Sequence, residues 1–375
     1  MGMILTIAVY LMGLICIATT LLPLSRHEAW WIRACDFPRL QIVGASAGVL
    51  AALIASGVID DTGGLLLALV LLGCVAYQLA VILPYTRLWR VELPGRREIP
   101  ASGAPAGNRS LSLLVVNVLM SNRQAEGLLG LIQAHAPDLV LAVETDRWWC
   151  DHLERLQGYH FRLAHPLANT YGLLLLSKLK LVEPQLRFLL KPDVPSVRSG
   201  LRLRSGEVIT LYGLHPEPPS PTEADTSVPR DAELVLVARE VAERRGPTIV
   251  AGDLNDVAWS HTSRLFRRIS RLLDPRVGRG MFNSFHAGHR LLRWPLDHVF
   301  VSDDFVLRDM RRLPAFGSDH FPILIRLDHE PRAVEVTEPP EADADDHAEA
   351  DRKLEQVGRE RAQAPAADAQ GTSPT

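Results

Sequence analysis

Three long runs without a single charge stand in the first 84 residues of the chain: 3–24, 41–59 and 62–84. Nothing else in the sequence restricts the fold as much. Each run approaches the ~20 apolar residues that cross a hydrocarbon core. Buried core helices of a soluble protein could also hide such runs, but three in succession make that the poorer account. No basic residue precedes the first run and two more runs follow, so its removal as a signal peptide is not expected. Three transmembrane helices are therefore expected.

Arg and Lys in the short loops set the orientation. The first loop holds Arg26, Arg33 and Arg39, and the segment after the third run holds Arg87, Arg90, Arg96 and Arg97. The loop around Asp60 and Asp61 holds none. With three spans, the basic loop and everything beyond residue 85 share one side, expected to be cytoplasmic, with the N-terminus outside. Trp30, Trp31 and Trp89 fall where interfacial aromatic anchors sit. Cys16, Cys35, Cys74 and Cys150 form no disulfide or metal pattern.

The remainder divides by composition. Residues 86–108 are expected to be a linker, Pro-, Gly- and Ala-rich from residue 94 on. Residues 109–330 alternate short apolar runs with turn signals and read as one domain. Residues 331–375 lack aromatic residues and are acidic and rich in Ala and Pro, so a disordered tail is expected. The net charge of −3 comes from that tail. Residues 107–330 carry 28 Lys plus Arg against 26 Asp plus Glu. The charge excludes a basic coat of the nucleic-acid-binding kind, and four cysteines exclude a disulfide scaffold.

Within the domain, strands are expected at 111–118, 139–144, 172–177, 208–215, 248–255, 297–302 and 321–327, with helices at 123–134 and 229–245. Strands and helices mixed over about 220 residues, with short connections, point to an α/β sandwich. Polar groups gather where these strands begin or end: Asn117, Glu144, His215, Asp253 with Asn255, and Asp297. Ser318-Asp319-His320 precedes the last strand. Carboxylates at the mouths of apolar strands are costly unless they meet a cation or a partner. Each alone has a plain structural use. Asn117 could cap a turn, a lone Glu144 would be a surface residue, a lone His215 is more often structural, and GDLN could be a tight turn. The argument rests on the set and its order.

Seven strings in that order are VVNV, APDLVLAVET, YGLLLLSK, LYGLHP, VAGDLND, PLDHVFVS and GSDHFPI. Together they resemble the endonuclease/exonuclease/phosphatase superfamily over about residues 110–328. That resemblance implies a two-sheet β-sandwich flanked by helices, here preceded by the three transmembrane helices. It also implies hydrolysis of phosphate ester bonds with Mg²⁺ or Mn²⁺. By resemblance, Asn117 and Glu144 are similar to the family's metal site, with Asp319 the further carboxylate. Asp253 is similar to the residue that orients or deprotonates the attacking water. Asn255 resembles a phosphate-oxygen contact, His320 the histidine on the scissile phosphate, Asp297 its orienting partner, and His215 a second phosphate-contacting histidine. Two positions depart from the family's nuclease pattern: Leu119 stands where a polar residue is common, and Val143 where Gln is common.

The physical chemistry agrees with these roles. Phosphodiester hydrolysis needs charge stabilised on a pentacovalent centre and an in-line nucleophile. Oxygen ligands from Asn and Glu suit Mg²⁺ or Mn²⁺ rather than zinc. A carboxylate beside His320 fixes its tautomer, and neighbouring acids would raise the basicity of Asp253.

The leading expectation is a phosphodiester hydrolase of the endonuclease/exonuclease type acting on nucleic acid, and the alternative is a phospholipid or phosphoinositide-type phosphatase or phosphodiesterase with the same site. Residues 264–279 hold six Arg and one Asp, which read either as a solvated helix face over Leu265, Ile269, Leu272 and Leu273 or as a phosphate platform. Trp259, Phe282, Phe285 and Trp294 fit core packing, or the lining of a pocket. The expected enzyme is integral to the plasma membrane (the inner membrane of a bacterium). A catalytically silent membrane scaffold is the reading of another class, and retention of the whole polar set argues against it.

Overall fold

The computed structural model describes residues 3–95 and 107–363. The membrane-like region contains α1 (Met3–Leu21), a short α2 (Trp30–Arg33), α3 (Arg39–Ala55) and α4 (Thr62–Ile82). Two stretches are long and apolar enough to cross a membrane, Met3–Ser25 and Thr62–Tyr85. The expected middle span differs. Its helix stops at Ala55, and its 17 residues give a rise of only ~25 Å. It reaches spanning length only with Trp30–Asp36, from which it is bent by 74°. Pro38 sits at that break and cannot continue the backbone ladder. Met3, Ile4, Leu66 and Leu69 are exposed on the outer faces of α1 and α4, while Leu53 and Leu71 are buried among the helices. Where the bundle meets the folded domain, polar side chains pair with one another. Arg39 bonds Asp36 at 2.6 Å and Gln78 at 2.6 Å, and Gln78 bonds Thr20 at 3.1 Å.

The domain holds two facing sheets. The first contains β1 (Ser110–Asn117), β2 (Leu139–Val143), β3 (Phe161–His165), β4 (Leu173–Ser177), β10 (Phe305–Arg312) and β11 (Ile323–His329), in the order β10-β11-β1-β2-β4-β3. The second contains β5 (Lys180–Arg187), β6 (Ser196–Arg202), β7 (Val208–Leu214), β8 (Thr248–Asp253) and β9 (Asp297–Val301), ordered as numbered. Each sheet has one parallel pair, β1 with β2 and β7 with β8. α5 (Ala125–His135) makes the first crossover and α7 (Val228–Arg244) the second. α6 (Arg147–Leu153) and α8 (His261–Ser270) complete the outer layers.

The alternation of the strands explains this layering. Leu113, Val115, Leu141, Val143 and Leu175 face Leu211, Ile249, Ala251 and Val299 in the core between the sheets. The opposite faces bury Leu114, Val116, Val140 and Ala142 under α5 and α6, and Tyr212, Val250 and Phe300 under α7 and α8. Near-continuous apolar strands follow from being covered on both sides.

The expected linker and tail are corrected in part. Residues 86–95 are not free: Leu93 is fully buried, Glu92 is paired with Arg267, and Leu307 donates its backbone N–H to Pro94. Residues 96–106 of the expected linker lie outside the described residues. The expected disordered tail contains instead α9 (Ala344–Gln363), packed on α7 and α8. Ala350 and Val357 are buried there, and ion pairs add to that packing. Lys353 bonds Asp231 at 2.8 Å, Arg268 bonds Asp346 at 2.6 and 2.7 Å, and Glu349 bonds His261 at 2.8 Å. Residues 364–375 lie outside the described residues.

Candidate active site

Parallel and antiparallel pairing brings the polar strand ends to one end of the sandwich. Asn117 closes β1, and Glu144 follows β2. His215 follows β7, Asp253 closes β8, and Asp297 opens β9 as the register partner of Asp253. Gly252 makes the turn of β8 possible. Its φ is +146°, and a Cβ there would lie 1.9 Å from the Leu214 carbonyl oxygen. Glu144 and Asn255 also have positive φ, +59° and +51°, the kind of local strain that collects at functional sites.

The Asn117 amide Nδ2 donates to Glu144 Oε1 at 2.7 Å and to Asp253 Oδ2 at 3.0 Å. Leu119, the first departure from the pattern, contributes its backbone N–H to Asn117 Oδ1 at 2.9 Å. Val143, the second, is an inter-sheet core residue. Met120 N–H donates to Glu144 Oε2 at 3.2 Å.

His320 lies between two carboxylates. Its Nδ1 is 2.7 Å from Asp297 Oδ2, and its Nε2 is 3.6 Å from Asp253 Oδ2. His215 Nε2 is 4.0 Å from the same Asp253 oxygen. Burial alone would depress the His320 pKa, but Asp297 and Asp253 outweigh it and raise it to about 10. His320 is therefore an imidazolium at neutral pH. Burial lowers the pKa of His215, which is thus held neutral. Burial raises both Asp253 and Glu144, and each also feels a neighbouring carboxylate, Asp297 and Asp253 respectively. Asn255 donates through Nδ2 to the Pro216 carbonyl at 2.9 Å, and its N–H donates to Asp253 Oδ1 at 3.0 Å.

The structure thus brings together Asn117, Glu144, His215, Asp253, Asn255, Asp297 and His320. Asp319 stands at the edge. It is half-buried, and among the described residues its carboxylate meets the Ser318 hydroxyl at 3.5 Å rather than Glu144 or Asn117. The sequence marks Ser318 only as part of the Ser318-Asp319-His320 group and Phe285 only as core packing or pocket lining, and it gives Tyr171 no signal. The Ser318 hydroxyl donates to the Asn117 carbonyl at 2.8 Å and accepts the His320 N–H at 3.0 Å, which ties the end of β1 to the segment that leads into β11. The Phe285 ring lies 4.9 Å from the His320 ring, and Tyr171 lies 5.6 Å from His215. Trp259 is buried in a cluster with Tyr85 and Leu296.

The donor atoms of Asp253, Asp297 and His320 fall within 4.8 Å of one another. Asp297 Oδ2 already engages His320 Nδ1 at 2.7 Å, so the three side chains are satisfied among themselves. Glu144 with Asn117 fits a hard cation better. Glu144 offers carboxylate oxygens and Asn117 an amide oxygen, and a divalent charge beside them would offset the burial that presses Glu144 and Asp253 toward protonation.

The model of the Endonuclease/Exonuclease/phosphatase family matches residues 114–320. The chain belongs to that family. The two sheets flanked by helices are its fold, and members of the endonuclease/exonuclease/phosphatase family are typically phosphoester hydrolases that use divalent metal ions. Solved structures similar to this chain include humanized D. rerio TDP2, at 15% identity, 59% of this chain, 99% of that chain and a TM-score of 0.49. The human Nocturnin catalytic domain with bound sulfate anion aligns at 17% identity, covering 60% of this chain and 95% of that chain, with a TM-score of 0.48. An endonuclease/exonuclease/phosphatase from Beutenbergia cavernae aligns at 15% identity, covering 59% of this chain and 72% of that chain, with a TM-score of 0.47. No curated protein sequence matches the chain.

Proposed function

We propose that the chain is a membrane-anchored, divalent-metal-dependent phosphodiester hydrolase. The observation that carries this reading is the buried Asp253–His320–Asp297 triad beside the Asn117–Glu144 pair. Asp253, whose basicity is raised by burial and by Asp297, takes a proton from water. The water oxygen bonds to phosphorus, the ester P–O bond breaks, and the leaving oxygen takes its proton from solvent. The His320 imidazolium, held by Asp297, donates to a non-bridging phosphate oxygen as negative charge grows there. Asn255 and His215 hold further phosphate oxygens. Glu144 and Asn117 would hold a Mg²⁺ or Mn²⁺ ion, with Asp319 at the edge of the site, and the bound ion would supply Lewis-acid neutralisation of the phosphate. The apolar helices anchor the enzyme, and the basic loops favour a cytoplasmic catalytic domain.

The test is turnover by the full chain in detergent with Mg²⁺ or Mn²⁺, assayed on bis(p-nitrophenyl) phosphate, plasmid DNA, RNA, phosphoinositides and sphingomyelin. His320→Ala is the control. Product from the wild type alone supports the proposal. Equal product from the variant, or none on any substrate, favours a silent scaffold.

A further inference from the structure

The end of the sandwich that carries the site also rests on the membrane helices. The loop joining α1 to α3 touches all three site-bearing loops of the second sheet. Beyond His215, Trp30 N–H donates to the Asp225 carbonyl at 3.0 Å and Ser227 N–H to that of Glu28 at 2.8 Å. Beyond Asn255, Trp259 Nε1 donates to the Asp36 carbonyl at 2.8 Å. Ahead of Asp297, Gln41 Nε2 donates to the Leu291 carbonyl at 2.5 Å, and the Phe37 ring lies 5.7 Å from that of Trp294. Trp294 in turn stacks on Phe285 at 6.2 Å, and Phe285 lies against His320. Two aromatic rings thus separate the bundle's loop from the site histidine.

The wall of the site beside this contact has the composition of a membrane-surface element. Leu291 is 84% exposed and Leu292 44%, between Arg290 and Arg293. Arg293 and Arg312 both lie over the Phe321 ring, at 5.0 and 4.5 Å from its centroid, directly after His320. Among the described residues neither meets a carboxylate. Arg312 donates to the Asn283 carbonyl, and Arg293 to those of His289 and Ala287. Two like charges on one ring call for an anion. An adjoining cleft of about 460 Å³ is lined by Arg87, just beyond α4, and by Arg279 and Arg312. The arginines of residues 264–279, by contrast, are largely taken up by Glu92, Asp346, Glu341 and Asp274.

We propose that this face docks on the bilayer surface, with Leu291 and Leu292 entering the headgroup layer and Arg293 and Arg312 holding phosphate, so that the substrate is a phosphodiester carried by an anionic phospholipid. Exposed leucines between cations suit an interface of acyl chains and anionic headgroups. A nucleic-acid groove would instead offer a charged track with stacking rings. The chemistry rests on the hydrolase reading above; the docking does not.

The test uses the full chain in phosphatidylcholine vesicles containing phosphatidylglycerol, with Mg²⁺. Loss of phosphatidylglycerol diester is followed by phosphorus NMR, and hydrolysis of added bis(p-nitrophenyl) phosphate in parallel. The double variant Leu291→Asp/Leu292→Asp should lower the lipid-to-soluble rate ratio by at least about tenfold. A spin label at Leu291→Cys should be reached by oxygen rather than by a water-soluble relaxant. Hydrolysis of the soluble diester without lipid turnover, a preference for added plasmid DNA, or an unchanged ratio would overturn the substrate assignment. A label reached by the water-soluble relaxant would overturn the docking. No turnover of either substrate by the wild type, with the label buried, would leave the docking standing and sink the hydrolase reading.

Discussion

At the residue scale, His320 shows why the site works as a unit. Its charge exists because Asp297 and Asp253 flank it, and the basicity of Asp253 depends in turn on burial and on that shared charge. Asp297→Asn removes the negative charge that orients His320 and holds it as an imidazolium. Turnover should fall by about 10²–10⁴-fold while the melting transition stays cooperative. Lost activity together with lost cooperative melting would mean that Asp297 is a structural residue. Gly252→Ala is expected to behave oppositely. Its Cβ would strike the Leu214 carbonyl at 1.9 Å, so a loss of about 3 kcal/mol or more should appear as a lower unfolding midpoint. The polar strand ends were legible in the sequence because a carboxylate closing an apolar strand contradicts its surroundings. Tyr171 was not, and Ser318 and Phe285 were visible only as a motif member and as core or pocket lining, without their partners. A serine, a phenylalanine and a tyrosine satisfy local patterns anywhere, and only the tertiary fold brings them to His320 and His215.

At the element scale, β1, β2, β4, β7, β8 and β9 were readable as apolar runs, since each is covered on both faces. β5 and β10 were not, because their outer residues are exposed and charged, as in Lys180–Arg187 and Phe305–Arg312. α9 escaped for a related reason. Its docking joins a few apolar contacts with several ion pairs, and composition reports apolar burial, not pairing. The same chemistry makes its docking sensitive to acid. Asp231 is held below the usual carboxylate range by Lys353 and Arg230 against the effect of burial, and Glu349 by His261 likewise. Native values below the unfolded ones mean that the stabilisation is complete above the unfolded carboxylate range. It is lost as pH falls through the lower native values. Amide exchange across residues 344–363 should therefore accelerate on acidification below the ordinary carboxylate pKa, with the β-sheet core still protected. Lys353→Met should give the same loosening at neutral pH, because Asp231 keeps only Arg230 as its cation, a loss of up to about 3 kcal/mol.

At the scale of the whole molecule, the helical bundle and the sandwich share a polar and aromatic contact on the site's side. Tyr85, just past α4, donates its hydroxyl to the Ala258 carbonyl at 2.6 Å, five residues after Asp253. On the proposed membrane-anchored reading, helices seated this near the reacting groups would do more than tether the domain, because they would set how far the site stands from the bilayer. The basic loops around Arg33 and Arg87 predict that the domain and α9 face the cytoplasm. A C-terminal tag should then resist protease in intact spheroplasts and be cut after lysis, and cutting before lysis would reverse the orientation. The central claim is hydrolysis of a phosphodiester by Asp253 and His320 with a divalent ion at Glu144. Its most direct test is bis(p-nitrophenyl) phosphate turnover by the full chain, alternating Mg²⁺ and excess chelator, in wild type and Asp253→Asn. The account predicts turnover that chelator abolishes and Mg²⁺ restores in the wild type, and none in the variant. Undiminished turnover in chelator, or equal turnover by Asp253→Asn, would contradict it.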